Sequence, residues 1–340
     1  MKKIAIIGAG ISGLFIANLL KRNLNYQITV YEKSTSVELE NGYGIQLSVN
    51  SIKLLNEIGF ERLQKNEKFN PKKIHFYSNN SSNKICELNV SDFNSKGCKY
   101  TTLKRSSLIN FLKRDLEDLI LTGYNISQIE HQDQKVKLYF ENNQIKECDH
   151  LIISDGIFSK SKNLISGNIS KPKYNDTLAI RATLKKPPED IDDKNISLFL
   201  ASDFHHVIYP VNFSGDLNII AIMKHQLSTD KQNNYSLFNE NSFIKTVLDK
   251  TPAAFKNISN DLENLKIFPV FISDDFYEIK SDKIHLIGDA FFAFSPSFAQ
   301  GASQSLEGAY ELFKDIENSE ERNFFKNRKR KTKMVNFRSK

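Results

Sequence analysis

Tryptophan is missing from this chain of 340 residues, and cysteine occurs only three times. Cys86, Cys98 and Cys148 form no C-x-x-C pair, which excludes a disulfide framework and a cysteine-based metal site. Isolated cysteines are typical of a reducing compartment, and we expect the cytoplasm. Long apolar runs are also missing: none approaches the roughly 18 residues that span a bilayer. The first apolar segment is a short strand, so no signal peptide is expected.

Acidic residues are scarce only near the end of the chain. Residues 322–340 contain nine Lys or Arg and no acid, which leaves 38 basic against 40 acidic residues in 1–321. The net charge of +7 therefore belongs to this basic tail. The tail predicts either the solvated end of an amphipathic helix or a contact with a membrane surface, because aromatic residues interrupt the cations. We expect no nucleic-acid partner.

The first fifty residues have the pattern of a dinucleotide-binding unit. An apolar strand at 4–7 runs into G-x-G-x-x-G at Gly8, Gly10 and Gly13, and a helical pattern follows. These glycines allow a tight turn, close approach of the backbone to a pyrophosphate and close packing of helix on strand. The next strand, "QITVYEK", ends in Glu32, nineteen residues after Gly13, where a carboxylate accepts hydrogen bonds from a ribose.

The rest of the chain indicates which dinucleotide binds. No second G-x-G-x-x-G follows, and "NGYGIQLSVNSIKLLNEIGF" replaces the strand and helix alternation that an NAD domain would continue. We therefore predict FAD as the bound nucleotide.

Five segments together resemble the class A flavoprotein monooxygenases, the aromatic hydroxylases related to para-hydroxybenzoate hydroxylase and salicylate hydroxylase. These segments are "GYGIQLSVNSIKLLNEIG", "LKRSSLINFL", "DHLIISDGIFSKSK", "HHVIYPVNFSGDLNIIAIM" and "IHLIGDAFFAFSPSFAQGASQSLEGA". The resemblance extends over nearly the whole chain. It implies an FAD-dependent enzyme that reduces its flavin with NAD(P)H, captures O₂ as a flavin hydroperoxide and transfers a hydroxyl group to a phenol or aromatic acid.

The resemblance also implies where FAD binds. Asp289 would accept a hydrogen bond from a ribityl hydroxyl, and Arg105 would lie near the ribityl and phosphate groups. The helix that begins at Gly301 would direct its N-terminal amides at the flavin. The full predicted set of cofactor-binding residues is Gly8, Gly10, Ser12, Gly13, Glu32, Lys33, Gly44, Arg105, Asp155, Asp289, Pro296, Gly301 and Ala302. No metal is expected.

The fold implied is α/β: a Rossmann-type FAD-binding domain with an inserted, mainly antiparallel β-sheet substrate domain. We expect the FAD-binding domain to be discontinuous, over residues 1–69, 98–172 and 282–340. The substrate domain would take up 70–97 and 173–281. Strand-like alternation in "KKIHFYS", "LAIRATL", "HHVIYPV" and "LNIIAIM" predicts its sheet.

Three residues are predicted on the substrate side. Arg181 either anchors an acidic substrate or pairs with an acid, and His206 or Tyr209 would deprotonate a phenol. His205 and His206 are strand neighbours that face opposite sides, so one of them is expected to be structural. A group of nearby aromatic residues forms either the walls of the pocket or ordinary core: Phe291, Phe292, Phe294 and Phe298.

Two positions depart from the family pattern. Phe292 stands where the family's G-D-A-A-H motif has histidine, and Gly308 stands where its E-D-A has aspartate. These departures keep three hypotheses open. The first is a hydroxylase of a small aromatic acid or phenol. The second is a hydroxylase of a lipid-linked ubiquinone precursor, with the basic tail at the membrane surface. The third is a non-catalytic FAD-binding protein. The sequence leaves the oligomeric state open.

Overall fold

The computed structural model describes residues 1–37, 43–131, 134–167, 171–184, 191–296, 299–318 and 323–338. These ranges form eighteen strands and nine α-helices. In chain order they are β1 (Lys2–Ile7), α1 (Ile11–Leu20), β2 (Tyr26–Glu32), β3 (Gly44–Leu47), α2 (Val49–Asn56), β4 (Lys68–Phe69), β5 (Lys73–Ser78), β6 (Lys84–Asn89), β7 (Thr101–Lys104), α3 (Arg105–Lys113), β8 (Ile120–Thr122), β9 (Ile126–His131), β10 (Val136–Phe140), β11 (Ile145–Cys148), β12 (His150–Ile153), α4 (Lys160–Ser166), β13 (Lys173–Leu184), β14 (Ile196–Leu200), β15 (Phe204–Pro210), β16 (Leu217–Lys224), α5 (Thr229–Asn233), α6 (Asn241–Asp249), α7 (Ala253–Ser259), β17 (Glu263–Ile272), β18 (Ile284–Leu286), α8 (Gly301–Glu317) and α9 (Phe324–Arg338).

A five-stranded parallel sheet forms the dinucleotide unit, in the order β18-β12-β1-β2-β8. Its central strand, β1, is buried from Ile4 to Ile7, since helices cover both faces of such a sheet. Ile7 is in register with Ile153, which is in register with Leu286. The carboxyl ends of these strands therefore meet at one edge, where nucleotides bind in this architecture.

A seven-stranded sheet forms the second layer, in the order β17-β13-β16-β15-β14-β5-β6. Its pairs are antiparallel except for β14 with β5, which are parallel. The predicted α/β fold with a mainly antiparallel second sheet is confirmed. Every strand of this sheet lies within 70–97 or 173–281, and the exact domain boundaries stay a prediction. One face is covered by α6 and α7 through Val247, Phe255 and Ile258.

A small sheet has the order β3-β7-β4. It contacts the other face of the seven-stranded sheet, where the Thr102 hydroxyl donates to the Pro210 carbonyl. The Gly44 N–H donates to Asn218 Oδ1. A Cβ on Gly44 would lie 2.7 Å from Val211 Cγ1, so glycine permits this close approach. The contact joins the FAD side of the molecule to the predicted substrate side.

The basic tail forms helix α9, which packs on α8. Phe324, Arg328 and Thr332, spaced at four-residue intervals, are buried. One face of the tail is therefore core, and the cations at other positions cover its outer side. No helix in the described ranges is long and apolar enough to cross a membrane.

Candidate functional site

The glycine loop after β1 has the geometry of a dinucleotide cradle. Gly8 adopts φ +100° and its N–H donates to the Tyr31 carbonyl at 2.8 Å. A Cβ on Gly13 would lie 2.1 Å from the Gly8 oxygen, so only glycine lets α1 pack this closely. A Cβ on Gly10 would meet nothing within 4 Å. Gly10 therefore faces open space at the start of α1, where a pyrophosphate fits.

Glu32, at the end of β2, accepts a hydrogen bond from the backbone of the same loop. Its Oε2 accepts from the Ala9 N–H at 2.9 Å, and its Oε1 accepts from the Ser34 N–H at 3.0 Å. The carboxylate thus lies at the nucleotide edge of the sheet, where the ribose of FAD would bind. Lys33 is exposed next to it. Ser12 is buried, and a Cβ on Gly288 would lie 2.4 Å from its Oγ, so Ser12 packs against the Gly288 loop.

Asp155 lies beside the glycine loop, after β12. A Cβ on Gly8 would lie 3.0 Å from the Asp155 Cα, so the two loops are in contact. Asp155 Oδ2 accepts from the Ser161 N–H at 3.0 Å, whereas its buried Oδ1 finds no donor among the described residues. A buried carboxylate oxygen without a partner is costly unless a ligand satisfies it. The unpaired Asp155 Oδ1 and the open space at Gly10 are both compatible with a bound FAD.

Asp289, Arg105 and Arg181 form a cluster of charged side chains at this edge. Burial raises the pKa of Asp289 to about 6, and Arg105 opposes that shift. Asp289 is nevertheless exposed to solvent, as expected on the wall of a cleft. Burial lowers the pKa of Arg105, as does the nearby Arg181, whereas Asp289 raises it. Two cations therefore face one acid, and the site favours an additional anion.

The N-terminus of α8 lies near the loop that carries Asp289. Gly301 begins the helix, and a Cβ there would meet nothing within 4 Å, so the first turn, with Ala302, borders open space. Pro296 is half-buried, and its carbonyl accepts from the Ala299 N–H at 3.3 Å. The arrangement fits an acceptor edge of the flavin at the helix N-terminus.

Arg181 and Tyr209 lie on the face of the seven-stranded sheet that is not covered by α6 and α7. In the sheet register, Arg181 lies opposite Ile220 and Tyr209 lies opposite Asn218. Ile220 and Asn218 are two residues apart on β16, so Arg181 and Tyr209 lie on the same face of the sheet. The Arg181 guanidinium lies 5.6 Å from the centre of the Tyr43 ring. Burial raises the pKa of Tyr209, and Arg181 and Gln46 partly oppose this. Tyr209 therefore keeps its proton at neutral pH.

His206 lies on the opposite face of β15, away from Arg181 and Tyr209. Its ring stacks on Phe199 at 4.4 Å and meets the edge of Phe255 at 5.2 Å. Burial, with a smaller contribution from the neighbouring His205, lowers the pKa of His206 to about 3. We therefore correct the expectation that His206 acts on the substrate: it is the structural member of the histidine pair, because helices α6 and α7 enclose it.

Of the aromatic residues considered for the pocket wall, two are core residues. Phe291 and Phe292 are 6% and 4% exposed, and Phe292 stacks on Phe276 at 4.7 Å. This packing explains why an aromatic ring replaces the family's histidine there. Phe294 is half-buried with its ring 5.1 Å from that of Phe292, and Phe298 lies outside the described residues.

The departure at Gly308 has a structural reason as well. A Cβ on Gly308 would lie 3.1 Å from Arg328 Nε, so the absence of a side chain makes room for this arginine of α9. Arg328 donates to the Gln304 carbonyl at 2.7 Å, and Glu307 and Glu311 lie within 3.8 Å of it. The cluster ties α9 to α8. Neither the burial of Arg328 nor the position of Gln46 beside Tyr209 was predicted, since both depend on contacts between distant segments.

Comparison with known proteins agrees with this geometry. The model of a family described as "FAD binding domain" matches residues 1–320. The 6-hydroxynicotinate 3-monooxygenase of Bordetella bronchiseptica is 23% identical over 332 residues, covering 93% of this chain and 82% of the relative. The salicylate hydroxylase of Pseudomonas putida is also 23% identical, covering 91% of this chain and 76% of the relative.

A solved structure shows the same fold. Klebsiella pneumoniae HpxO complexed with FAD and uric acid has a TM-score of 0.79 at 18% identity, covering 93% of this chain and 80% of that one. The glycine loop and Glu32, at the carboxyl ends of parallel strands, match the dinucleotide-binding pattern of such a sheet. The chain belongs to the FAD binding domain family, and it is an FAD-dependent monooxygenase.

Proposed function

We propose that the protein hydroxylates a small aromatic acid or phenol, with NAD(P)H and O₂ as co-substrates. In the balanced reaction, an aromatic C–H becomes C–OH, one oxygen atom enters the product and the other leaves as water. NAD(P)H supplies two electrons, and a proton is taken up. Bound FAD would carry those electrons from NAD(P)H to O₂. The residues that would hold FAD are those at the edge described above.

The position of Arg181 carries this proposal. It lies on the sheet face that holds Tyr209 and within electrostatic reach of Arg105, which in turn faces Asp289. A substrate carboxylate or phenolate bound at Arg181 would therefore be adjacent to the flavin edge. Val207 and Ile220 are half-buried on the same face and pack with Tyr209. Such apolar groups would keep water away from the reacting ring.

The test compares acids with their amides. We would measure NAD(P)H oxidation by the FAD-loaded protein with salicylate and 6-hydroxynicotinate, and with salicylamide and 6-hydroxynicotinamide. We expect at least one acid to stimulate oxidation about tenfold more than its amide, since Arg181 pairs with a charge. The variant R181Q should lose this preference and keep its FAD. Equal stimulation by acid and amide in the unaltered protein would count against an anionic substrate.

A second candidate is the hydroxylation of a lipid-linked aromatic at a membrane surface. It is favoured by two apolar residues on the basic helix α9, Met334 and Phe337, which are 50% and 81% exposed. Vesicles of anionic lipid should sediment with the unaltered protein and not with a Met334→Ser, Phe337→Ser double variant. Failure of the unaltered protein to sediment would leave only the first candidate.

We also propose the cytoplasm as the compartment, because all three cysteines are free.

A further inference from the structure

Arg181 has no partner of opposite charge in the part of the chain that the structure describes. Its guanidinium offers only N–H donors, and none of them makes a hydrogen bond or an ion pair with a described residue. Its cross-strand neighbour on β17, Lys266, and the nearby Arg105 are cations as well. A long cationic side chain without such a partner keeps rotamer freedom that a ligand must remove on binding. The direction of this guanidinium therefore depends on a contact of another kind.

The ring of Tyr43 supplies that contact. The Arg181 guanidinium carbon lies over the ring, 5.6 Å from its centre. An aromatic ring attracts a cation through the negative potential of its face. A carboxylate partner would occupy the N–H donors of the guanidinium, whereas the ring face leaves them unused. Arg181 is thus held by Tyr43 and is still able to bind an anion.

Tyr43 is itself fixed at three points. Its hydroxyl donates to the Asn264 carbonyl at 3.1 Å, and its own carbonyl accepts from the Arg105 N–H at 2.8 Å. Its ring packs edge-to-face with that of Phe268, with the ring centres 6.2 Å apart and the planes at 88°. These contacts attach Tyr43 to β17 and to the start of α3. The ring is therefore a fixed support for the guanidinium of Arg181.

Resting on the proposed function, we infer that Tyr43 is a positioning residue: its ring holds the Arg181 guanidinium so that its N–H donors bind the carboxylate of an aromatic acid. A planar guanidinium binds a carboxylate through two parallel hydrogen bonds, which requires a defined orientation. Without the ring, the repulsion from Arg105 and Lys266 is unopposed, and the guanidinium turns away from the ligand. Tyr43 thereby favours an acid over its uncharged analogue, although its own hydroxyl is used by Asn264.

Binding of benzoate and of benzamide, measured by calorimetry, tests the inference without turnover. Both would be titrated into the FAD-loaded unaltered protein and into Y43L, Y43F, R181Q and the Y43L/R181Q double variant. Y43L should raise the Kd for benzoate about fivefold and leave that for benzamide unchanged, because only the charged ligand uses the guanidinium. Y43F keeps the ring face and should bind benzoate like the unaltered protein. Because Tyr43 acts through Arg181, the double variant should bind benzoate as well as R181Q alone.

Three outcomes would overturn the inference: equal weakening of benzoate and benzamide in Y43L, a double variant whose loss is the product of the single losses, or no benzoate binding by the unaltered protein. A loss in Y43F as large as that in Y43L would likewise assign the effect to the Asn264 hydrogen bond instead of the ring. Y43M, with a longer side chain, replaces Y43L if Y43L takes up no FAD. Benzoate binding that depends on Tyr43, without NAD(P)H oxidation by any aromatic acid, would sink the proposed function alone.

Discussion

His206 and Tyr209 lie three residues apart on β15 and have opposite surroundings. The ring of His206 is stacked on Phe199 in the core under α6 and α7, whereas Tyr209 lies on the face that meets β3. An odd separation on a strand places side chains on opposite faces. The alternation was readable from the sequence, but which face is enclosed by helices depends on where α6 and α7 pack. The sequence therefore predicted that one histidine is structural, but it placed His206, the structural one, on the substrate side.

Replacement of His206 by phenylalanine should stabilise the protein in acid. The pKa of His206 falls from 6.5 to about 3 on folding, so the unfolded chain binds a proton first as the pH drops. The native protein should lose stability from pH 6.5 downward, and H206F should lack this loss. We expect the Tm of the variant to exceed that of the unaltered protein by about 3 °C at pH 5, with little difference at pH 8. H131Q, at the exposed end of β9, is the control, and a Tm gain independent of pH would contradict the assignment.

The turn from β1 into α1 is an element whose local geometry was readable from spacing alone. Glycine at three positions dictates local geometry, and the structure gives each position a separate reason. Gly8 has a positive φ, Gly13 touches the Gly8 oxygen, and Gly10 faces open space. The basic helix α9 is the opposite case. Its cations indicated a solvated segment or a membrane contact, whereas Arg328 is buried beside Gly308, twenty residues earlier, where the lack of a side chain leaves room for it.

Substitutions at two glycines of this turn should affect different properties, FAD binding at Gly10 and folding at Gly13. G10A should fold normally, because its Cβ meets nothing within 4 Å, but the added methyl group should raise the Kd for FAD about tenfold or more. G13A should lower the Tm of the FAD-free protein by at least about 5 °C, because its Cβ would lie 2.1 Å from the Gly8 oxygen. Fluorescence titration of FAD and thermal unfolding check both. Equal Tm values for the two variants would contradict the packing role of Gly13.

The contact between α8 and α9 predicts a large effect from one basic residue of the tail. R328M leaves Glu307 and Glu311 without their partner, and loss of one side of a buried ion pair costs about 3 kcal/mol. The free energy of unfolding, measured with urea, should fall by that amount. R330M, on the exposed side of the same helix, should change it by less than about 0.5 kcal/mol. Equal effects would show that the tail does not pack as a helix on α8.

At the scale of the whole molecule, the candidate site lies where two sheets meet. Its residues come from β3, β13, β15 and the start of α3, and from the loop after β18, which are far apart in sequence. The prediction of the flavin side depends on residues that follow strand ends within local motifs. The substrate side could be predicted only in part, since the position of Gln46 on the face that holds Tyr209 depends on how β3 docks at Asn218. Local pattern specifies the elements, and the contact between sheets decides which side chains share the cleft.

The central claim is that this protein inserts one oxygen atom from O₂ into an aromatic substrate. Isotope labelling tests this claim most directly. The FAD-loaded protein would be supplied with NAD(P)H, ¹⁸O₂ and the aromatic acid that best stimulates NAD(P)H oxidation, and the product would be analysed by mass spectrometry. The account predicts one ¹⁸O atom in a new hydroxyl group for each NAD(P)H consumed. Consumption of NAD(P)H that yields only hydrogen peroxide, or a hydroxyl group labelled from water instead of O₂, would contradict it.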